Sequence, residues 1–288
     1  MLFYKKIIPV VLITVAIMLF SRTLLDAYVL KGPRLLELML ENIGNAKAVL
    51  LKEKLFIFNN DKYEKTVIFN EITRYGFPDK FRVDTWSQTA QMFVVFSEKT
   101  SLHVVDKNIV SDNDIYFDTV LWFYKDILLY RDKAVLQNAL NNDKVDISMS
   151  SLGRYNNKIA YVLGAKYPDV SMAQIWLDKN TFRPFRWLIP GSEKKNDYDF
   201  FEIHFLKWQS VNNFWYPQVI KFFQNDILIR QITVETINVN PVFNPDIFNI
   251  DHIKSIYQTK EQTNNTKNKS EELNNIKKAI EKFKKIYD

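Results

Sequence analysis

The residues with the widest chemical repertoire in this chain are few and scattered. Its three histidines, His103, His204 and His252, stand too far apart to match a metal-ligand spacing motif. Two of them fall in strand-like runs, where a solvated or hydrogen-bonded imidazole is the plain reading. Cysteine is absent, which excludes disulfides, thiol nucleophiles, thiolate-bound zinc and acylation of an N-terminal cysteine. No G-x-S-x-G, Walker loop or dinucleotide fingerprint occurs, and 6 glycines in 288 residues leave little material for a phosphate cradle. Asp84, Asp178 and Glu202 remain as acid–base candidates for a lipid or glycan hydrolase, a role that requires two of them to converge in one groove. The expectation is a protein with no catalytic residue, metal or cofactor, whose work is binding.

What the chain has in quantity is apolar and aromatic surface: 22 Phe, 14 Tyr and 6 Trp, with hydrophobic residues at 47%. Such side chains suit a pleated, half-buried surface, whereas glycine weakens one. Strand-like runs follow at Ala48 to Phe58, Thr66 to Thr73, Lys80 to Trp86, Gln91 to Phe96, Ser101 to Val105, Ala160 to Leu163, Gln174 to Leu177, Phe185 to Ile189, Phe200 to Trp208, Trp215 to Phe223 and Ile227 to Val239. Connections as short as Gln224-Asn-Asp226 suit antiparallel neighbours, so a meander is expected. Two segments have helical spacing instead. Pro33 opens an apolar stripe through Leu35, Leu36, Met39 and Ile43 that stops near Gly44, and Asp118 to Asn141 places Trp122, Leu128, Leu129 and Leu136 as two helices.

Alternation predicts the binding surface. Phe201, Ile203 and Phe205 share one side of their strand, Phe185 and Trp187 share another, and Trp215 falls in step with Pro217 and Val219. A curved sheet with few helices cannot cover all of its concave face, which leaves a groove. The candidate lining is Phe81, Val83, Trp122, Phe123, Trp176, Phe185, Trp187, Phe201, Phe205, Trp215 and Ile232, with Asp118 to Asn141 as its lid.

Lys5 and Lys6 precede an apolar run from Ile7 to Phe20, a charged start and hydrophobic stretch of the export type. At 1.5 Å per residue the run reaches about 21 Å, short of a roughly 30 Å hydrocarbon core. Residues 1–27 are therefore read as a signal peptide or signal anchor, residues 28–253 as the folded domain, and residues 254–288 as a polar tail. That tail holds much of the net charge of +6. It comprises a linker from Ser255 to Glu271 and an amphipathic stretch, Glu272 to Asp288, carrying Leu273, Ile276, Ile280, Phe283 and Tyr287. No nucleic-acid motif accompanies the charge, so membrane contact through the leader or tail is expected and nucleic acid is not.

Three stretches carry a family likeness: Gly76-Phe-Pro-Asp-Lys-Phe-Arg-Val-Asp84, Ile175-Trp-Leu-Asp-Lys-Asn-Thr-Phe-Arg-Pro184 and Asn238-Val-Asn-Pro-Val-Phe-Asn-Pro-Asp-Ile-Phe248. With the order of leader, helix, long meander and helical insertion, the region Pro33 to Ile250 resembles the LolA and LolB superfamily of periplasmic lipoprotein carriers. The resemblance implies an α+β fold, mainly β: an antiparallel unclosed barrel, or half-barrel, capped by helices. It further implies an exported, periplasmic, non-enzymatic carrier in outer-membrane lipoprotein sorting. Acyl chains of lipid or lipoprotein would be its ligand, and an inner-membrane donor and an outer-membrane acceptor its partner proteins. A membrane-tethered sensor on the same fold is the alternative. The chain departs from the family at Phe77, where the family has an arginine that ties the lid to the barrel. The nearest arginines are Arg74 and Arg82, so that role is not carried over.

Overall fold

Helix α1 (Gly32–Ile43) forms where the sequence places it, with Pro33 in its first turn and Leu35, Leu36, Met39 and Ile43 on one buried stripe. It stops at Gly44, whose φ of 87° favours glycine and where a side chain would strike the Asn213 carbonyl at 2.1 Å. The computed structural model describes residues 29–58, 66–88, 90–97, 100–112, 124–190 and 200–259. The leader, Trp122, Phe123 and the expected helix from Glu272 to Asp288 lie outside these residues.

The rest is one sheet built from two meanders. Strands β1 (Ala48–Ile57), β2 (Val67–Gly76), β3 (Lys80–Trp86), β4 (Gln91–Ser97), β5 (Thr100–Val105) and β6 (Asn108–Asp112) pair in sequence order. So do β7 (Asp146–Tyr155), β8 (Lys158–Gly164), β9 (Gln174–Asp178), β10 (Pro184–Pro190), β11 (Phe200–Val211), β12 (Phe214–Gln224) and β13 (Ile227–Val239). The halves join through antiparallel pairing of β1 with β13, Leu55 opposite Ile232. Strand β7 ends one edge. At the other, β14 (Gln258–Thr259) adds to β6 in parallel, so the barrel stays unclosed. Strands β6, β7 and β14 stand beyond the expected set.

Four hairpins turn on two residues that both have positive φ: Asp106-Lys107, Asn156-Asn157, Asn212-Asn213 and Asn225-Asp226. This geometry matches the strand twist, and Asn and Asp tolerate it better than other side chains. The expected helical insertion folds as α2 (Tyr124–Leu129) and α3 (Lys133–Asn142), with Asp132 capping α3 through the Val135 amide at 2.9 Å.

The end of the described chain covers the outer face of the first meander. After a 3-10 turn (Pro245–Phe248), helix α4 (Ile250–Ile256) seats Ile250 and Ile253 on Phe93, Val95, Leu102 and Val104. The start of the stretch expected as a linker, Ser255 to Thr259, takes part: the Tyr257 ring lies 5.2 Å from Phe93, and Gln258 and Thr259 pair with β6. Truncating the buried Ile253 to Ala is expected to cost about 2–4 kcal/mol in a urea titration. A loss below about 0.5 kcal/mol, the size of a surface change, would remove α4 from the core.

Candidate functional site

Cross-strand register sorts the candidate groove residues onto two faces. Phe81, Val83, Trp187, Phe201, Phe205 and Ile232 point inward. Trp187 stands opposite Ile203, Phe205 opposite Ile220 and Ile220 opposite Ile232. Trp187, Phe201, Phe205, Ile232 and Val83 are at most 1% exposed, because helices α1, α2 and α3 fill the concavity with Leu35, Leu36, Met39, Tyr124, Leu128, Leu136 and Leu140. Trp122 and Phe123, on the N-terminal side of α2, lie outside the described residues.

Trp176, Phe185 and Trp215 are on the other side. Trp176 stands opposite Arg186, one step out of phase with Trp187. The expectation that Phe185 shares a face with Trp187 is corrected by a register break between Pro184 and Arg186. That break turns Phe185 into an outer aromatic cluster with Tyr155 and Trp176, at centroid distances of 6.0 and 6.5 Å. Trp215 points away from its neighbours Phe214 and Tyr216, with the Arg183 guanidinium carbon 3.3 Å from its ring centroid.

Charge at the centre of the inner face escaped the sequence reading. Glu53 on β1 faces Glu71 on β2, with Thr73 and Thr85 beside them, all buried. Lys125 enters from α2 and donates to Thr73 Oγ1 at 2.7 Å, Glu71 Oε1 at 3.1 Å and Glu53 Oε2 at 3.4 Å. The Thr73 hydroxyl donates in turn to Glu53 at 2.9 Å, and that of Thr85 to Glu71 at 3.3 Å. Lys125, Glu53 and Glu71 are at most 2% exposed. Arg230, also buried, faces Phe222 at 4.9 Å and adds a second cation.

These charges set one another's ionisation. Burial opposes a charge on Lys125, but the two carboxylates outweigh it and raise its ammonium above the usual lysine value. For Glu71 burial pushes upward, and the Lys125 and Arg230 charges overcome it and hold the carboxyl below its ordinary range. Glu53 goes the other way: burial is not fully offset by Lys125, Glu71 repels its charge, and its carboxyl is raised. Tyr124 and Tyr216 beside them are pushed far up by burial and the Glu53 charge, so they stay neutral phenols.

The insertion is fastened at its far end as well. Arg131 donates to the carbonyls of Ile127 at 3.0 Å, Leu129 at 3.1 Å and Gly44 at 3.4 Å, tying the end of α2 to the end of α1. Lys133 on α3 pairs with Glu37 on α1.

The carboxylates singled out from sequence lie apart, outside the concavity. Asp84 is held on the outer face by Arg74 and Arg82, and Asp178 caps its own turn through the Asn180 and Thr181 amides at 3.0 and 2.9 Å. Glu202 lies between Arg186, which clasps it through two nitrogens, and His204 Nε2 at 2.8 Å. The histidines do not meet: His103 is on the inner face of β5, His204 on the outer face of β11 and His252 on α4.

No family profile and no curated protein sequence matches this chain. Solved structures do. A LolA superfamily protein from Nitrosomonas europaea superposes with a TM-score of 0.55 at 9% identity, covering 77% of this chain and 99% of that one. A domain described as a putative outer membrane lipoprotein-sorting protein, from Vibrio parahaemolyticus, gives 0.52 at 10% identity, covering 78% and 100%. A DUF1329 family protein from Desulfovibrio piger gives 0.53 at 12% identity, covering 77% and 98%. The chain therefore has a LolA-like fold, an unclosed antiparallel half-barrel packed by helices. Among the described residues no helix is long and apolar enough to cross a membrane.

Replacing Lys125 by Met should strand two buried carboxylates and cost about 3–5 kcal/mol, whereas adding Glu53→Gln and Glu71→Gln should recover part of the loss. Urea unfolding of the single and triple variants checks this, and a single-variant loss below about 1 kcal/mol would contradict it. On the outer face, burial alone would raise Glu202, but His204 and Arg186 hold it down at about 2. Its contribution is then complete above the usual carboxylate range and declines as pH falls through 4 toward 2. Glu202→Gln should be destabilising at pH 6, by about 3 kcal/mol at most, and nearly neutral at pH 2. A gap that does not change with pH would refute this account.

Proposed function

We propose that this chain is an exported, periplasmic, non-enzymatic carrier that shields acyl chains of lipid or lipoprotein between its sheet and its helical insertion. The observation that carries the reading is the inner face: large apolar side chains around a small charged centre, covered by helices rather than by a second sheet. Phe81, Val83, Trp187, Phe201, Phe205 and Ile232 line the groove. Trp122 and Phe123 belong to the lid segment, and an inner-membrane donor and an outer-membrane acceptor are the implied partners. The LolA-like fold supports this reading. So does the outward placement of Asp84, Asp178 and Glu202, which supplies no acid–base pair in the groove. Glu53 and Glu71 do converge, but Lys125 and Arg230 together offset their charge in a place sealed from solvent.

Opening means displacing α2 and α3, and with them Lys125, from the sheet. An acyl chain then replaces the helix side chains. About ten methylenes at about 0.8 kcal/mol each supply about 8 kcal/mol, enough for micromolar affinity once the lid has moved. Because the groove residues are fully packed beneath the lid, Trp187→Ala and Phe205→Ala are expected to cost the full core amount, about 3–5 kcal/mol, besides weakening acyl binding.

The direct test titrates delipidated protein with a fluorescent acyl-chain probe. Wild type should take it up at micromolar concentration, and Lys125→Met, whose lid is released, should take it up more tightly. Absence of uptake by both proteins while folded by circular dichroism would overturn the carrier reading.

A further inference from the structure

The seat of Lys125 has the form of a receptor for a primary ammonium group. Three oxygens from the sheet surround Nζ: Thr73 Oγ1 at 2.7 Å, Glu71 Oε1 at 3.1 Å and Glu53 Oε2 at 3.4 Å. An R–NH3+ group has three N–H donors, and no methylated ammonium can supply all three. The Phe81 ring on β3 flanks the nitrogen from the sheet side, its centroid at 5.6 Å, where its face favours a cation. Glu53 also keeps one buried oxygen, Oε1, without a hydrogen-bond partner among the described residues, so the seat has acceptor capacity beyond what Lys125 uses.

Ownership of the groups gives this geometry its consequence. The oxygens belong to β1 and β2, in the middle of the sheet, while the ammonium belongs to the short helix α2. Withdrawing α2 leaves Glu53 and Glu71 with Arg230 as the described cation on the inner face, so the remaining negative charge in apolar surroundings must be met by a proton on Glu53 or by another cation. A carboxylate or phosphate arriving alone would meet two carboxylates.

We infer that the opened groove selects amphiphiles with a primary amine close to the acyl chain, Lys125 being the internal group that fills the amine's place when the lid is shut. This rests on the carrier reading above and narrows it to a class of ligand: primary-amine lipids.

The test uses the full chain at pH 7 and four twelve-carbon amphiphiles, below their micellar concentrations, as competitors of the acyl-chain probe. These are dodecylamine, dodecyltrimethylammonium, dodecanol and dodecanoate. Dodecylamine should compete at least about tenfold better than the other three, the size of a charge-assisted hydrogen-bond preference. In Thr73→Val and Glu71→Gln that preference should shrink below about threefold while dodecanol still binds. Equal competition by all four would overturn the inference and leave the carrier reading intact. Equal competition by dodecylamine and dodecyltrimethylammonium would reduce the effect to charge alone and also overturn it. Failure of every amphiphile would remove the carrier reading and the inference together.

A second measurement does not depend on lid opening. In Lys125→Ala, butylammonium should restore thermal stability in a saturable way and tetramethylammonium should not. An equal response to the two would exclude a primary-ammonium receptor.

Discussion

A charge placed in an apolar interior must be matched by another charge, and in this molecule the match is made between different elements of the chain, the sheet and the helical insertion. Glu53 and Glu71 belong to the sheet and Lys125 to the insertion, so the insertion has one position in which no charge is left bare. Replacing such a cluster by apolar side chains of equal volume would often be neutral or stabilising, because desolvation consumes most of the attraction. Its effect is therefore on position more than on stability. Leucines on α2 could slide along an apolar face at small cost, whereas an ammonium that must reach Thr73, Glu71 and Glu53 together cannot.

The topology makes that choice of position matter. Two meanders joined at β1 and β13 leave β7 at one edge of the sheet and β6, with β14 beside it, at the far side, and the helices α2 and α3 that fall between β6 and β7 in sequence lie in the concavity. A segment that lies there and carries apolar residues at helical spacing becomes the inner layer of the core. The outer face is covered locally instead. Helix α4 lies on the first meander, and the connection between β8 and β9 brings Met172 and Tyr167 against Trp176 on the second. Aromatic side chains on both faces of one sheet are thus explained by two separate coverings.

This arrangement decides what could be read from the amino-acid sequence. Strand existence was legible wherever alternation was strong, and α1 and the paired helices were legible from their spacing. Phase was legible only where the ladder is unbroken: Trp187 and Phe205 fall inside as their alternation says, while the break at Pro184 and Arg186 turns Phe185 outward. The charged centre was hidden by the assumption that polar residues mark the solvent side. Its trace is present all the same. Glu53 stands in step with Val49, Leu51, Leu55 and Ile57, Glu71 with Phe69 and Tyr75, and Arg230 with Ile232 and Val234. A charge in the apolar phase of each of three adjoining strands calls for partners inside, and Lys125 within the apolar insertion is the complement.

The departure at Phe77 acquires a physical meaning from the same geometry. Arg74 and Arg82, the arginines nearest the position where the resembled family has its lid-tying residue, are engaged on the outer face with Asp84, and Arg82 also donates to the Ile247 carbonyl at 3.1 Å. On the carrier reading proposed above, the tie in this chain runs in the opposite direction, with the cation on the insertion and the acceptors on the sheet. That reversal changes what remains after opening. A sheet-borne arginine leaves a cation in the emptied groove, whereas here the groove keeps two carboxylates and Arg230. The strength of the tie also depends on its surroundings. Two unit charges 4 Å apart attract by about 4 kcal/mol at an effective dielectric constant of 20 and by about 1 kcal/mol in water. On the same reading, an insertion held this way resists small displacements while the seat stays dry and loses most of its hold once solvent or a ligand reaches the charges, which separates its closed and open positions by a threshold rather than a gradual slope.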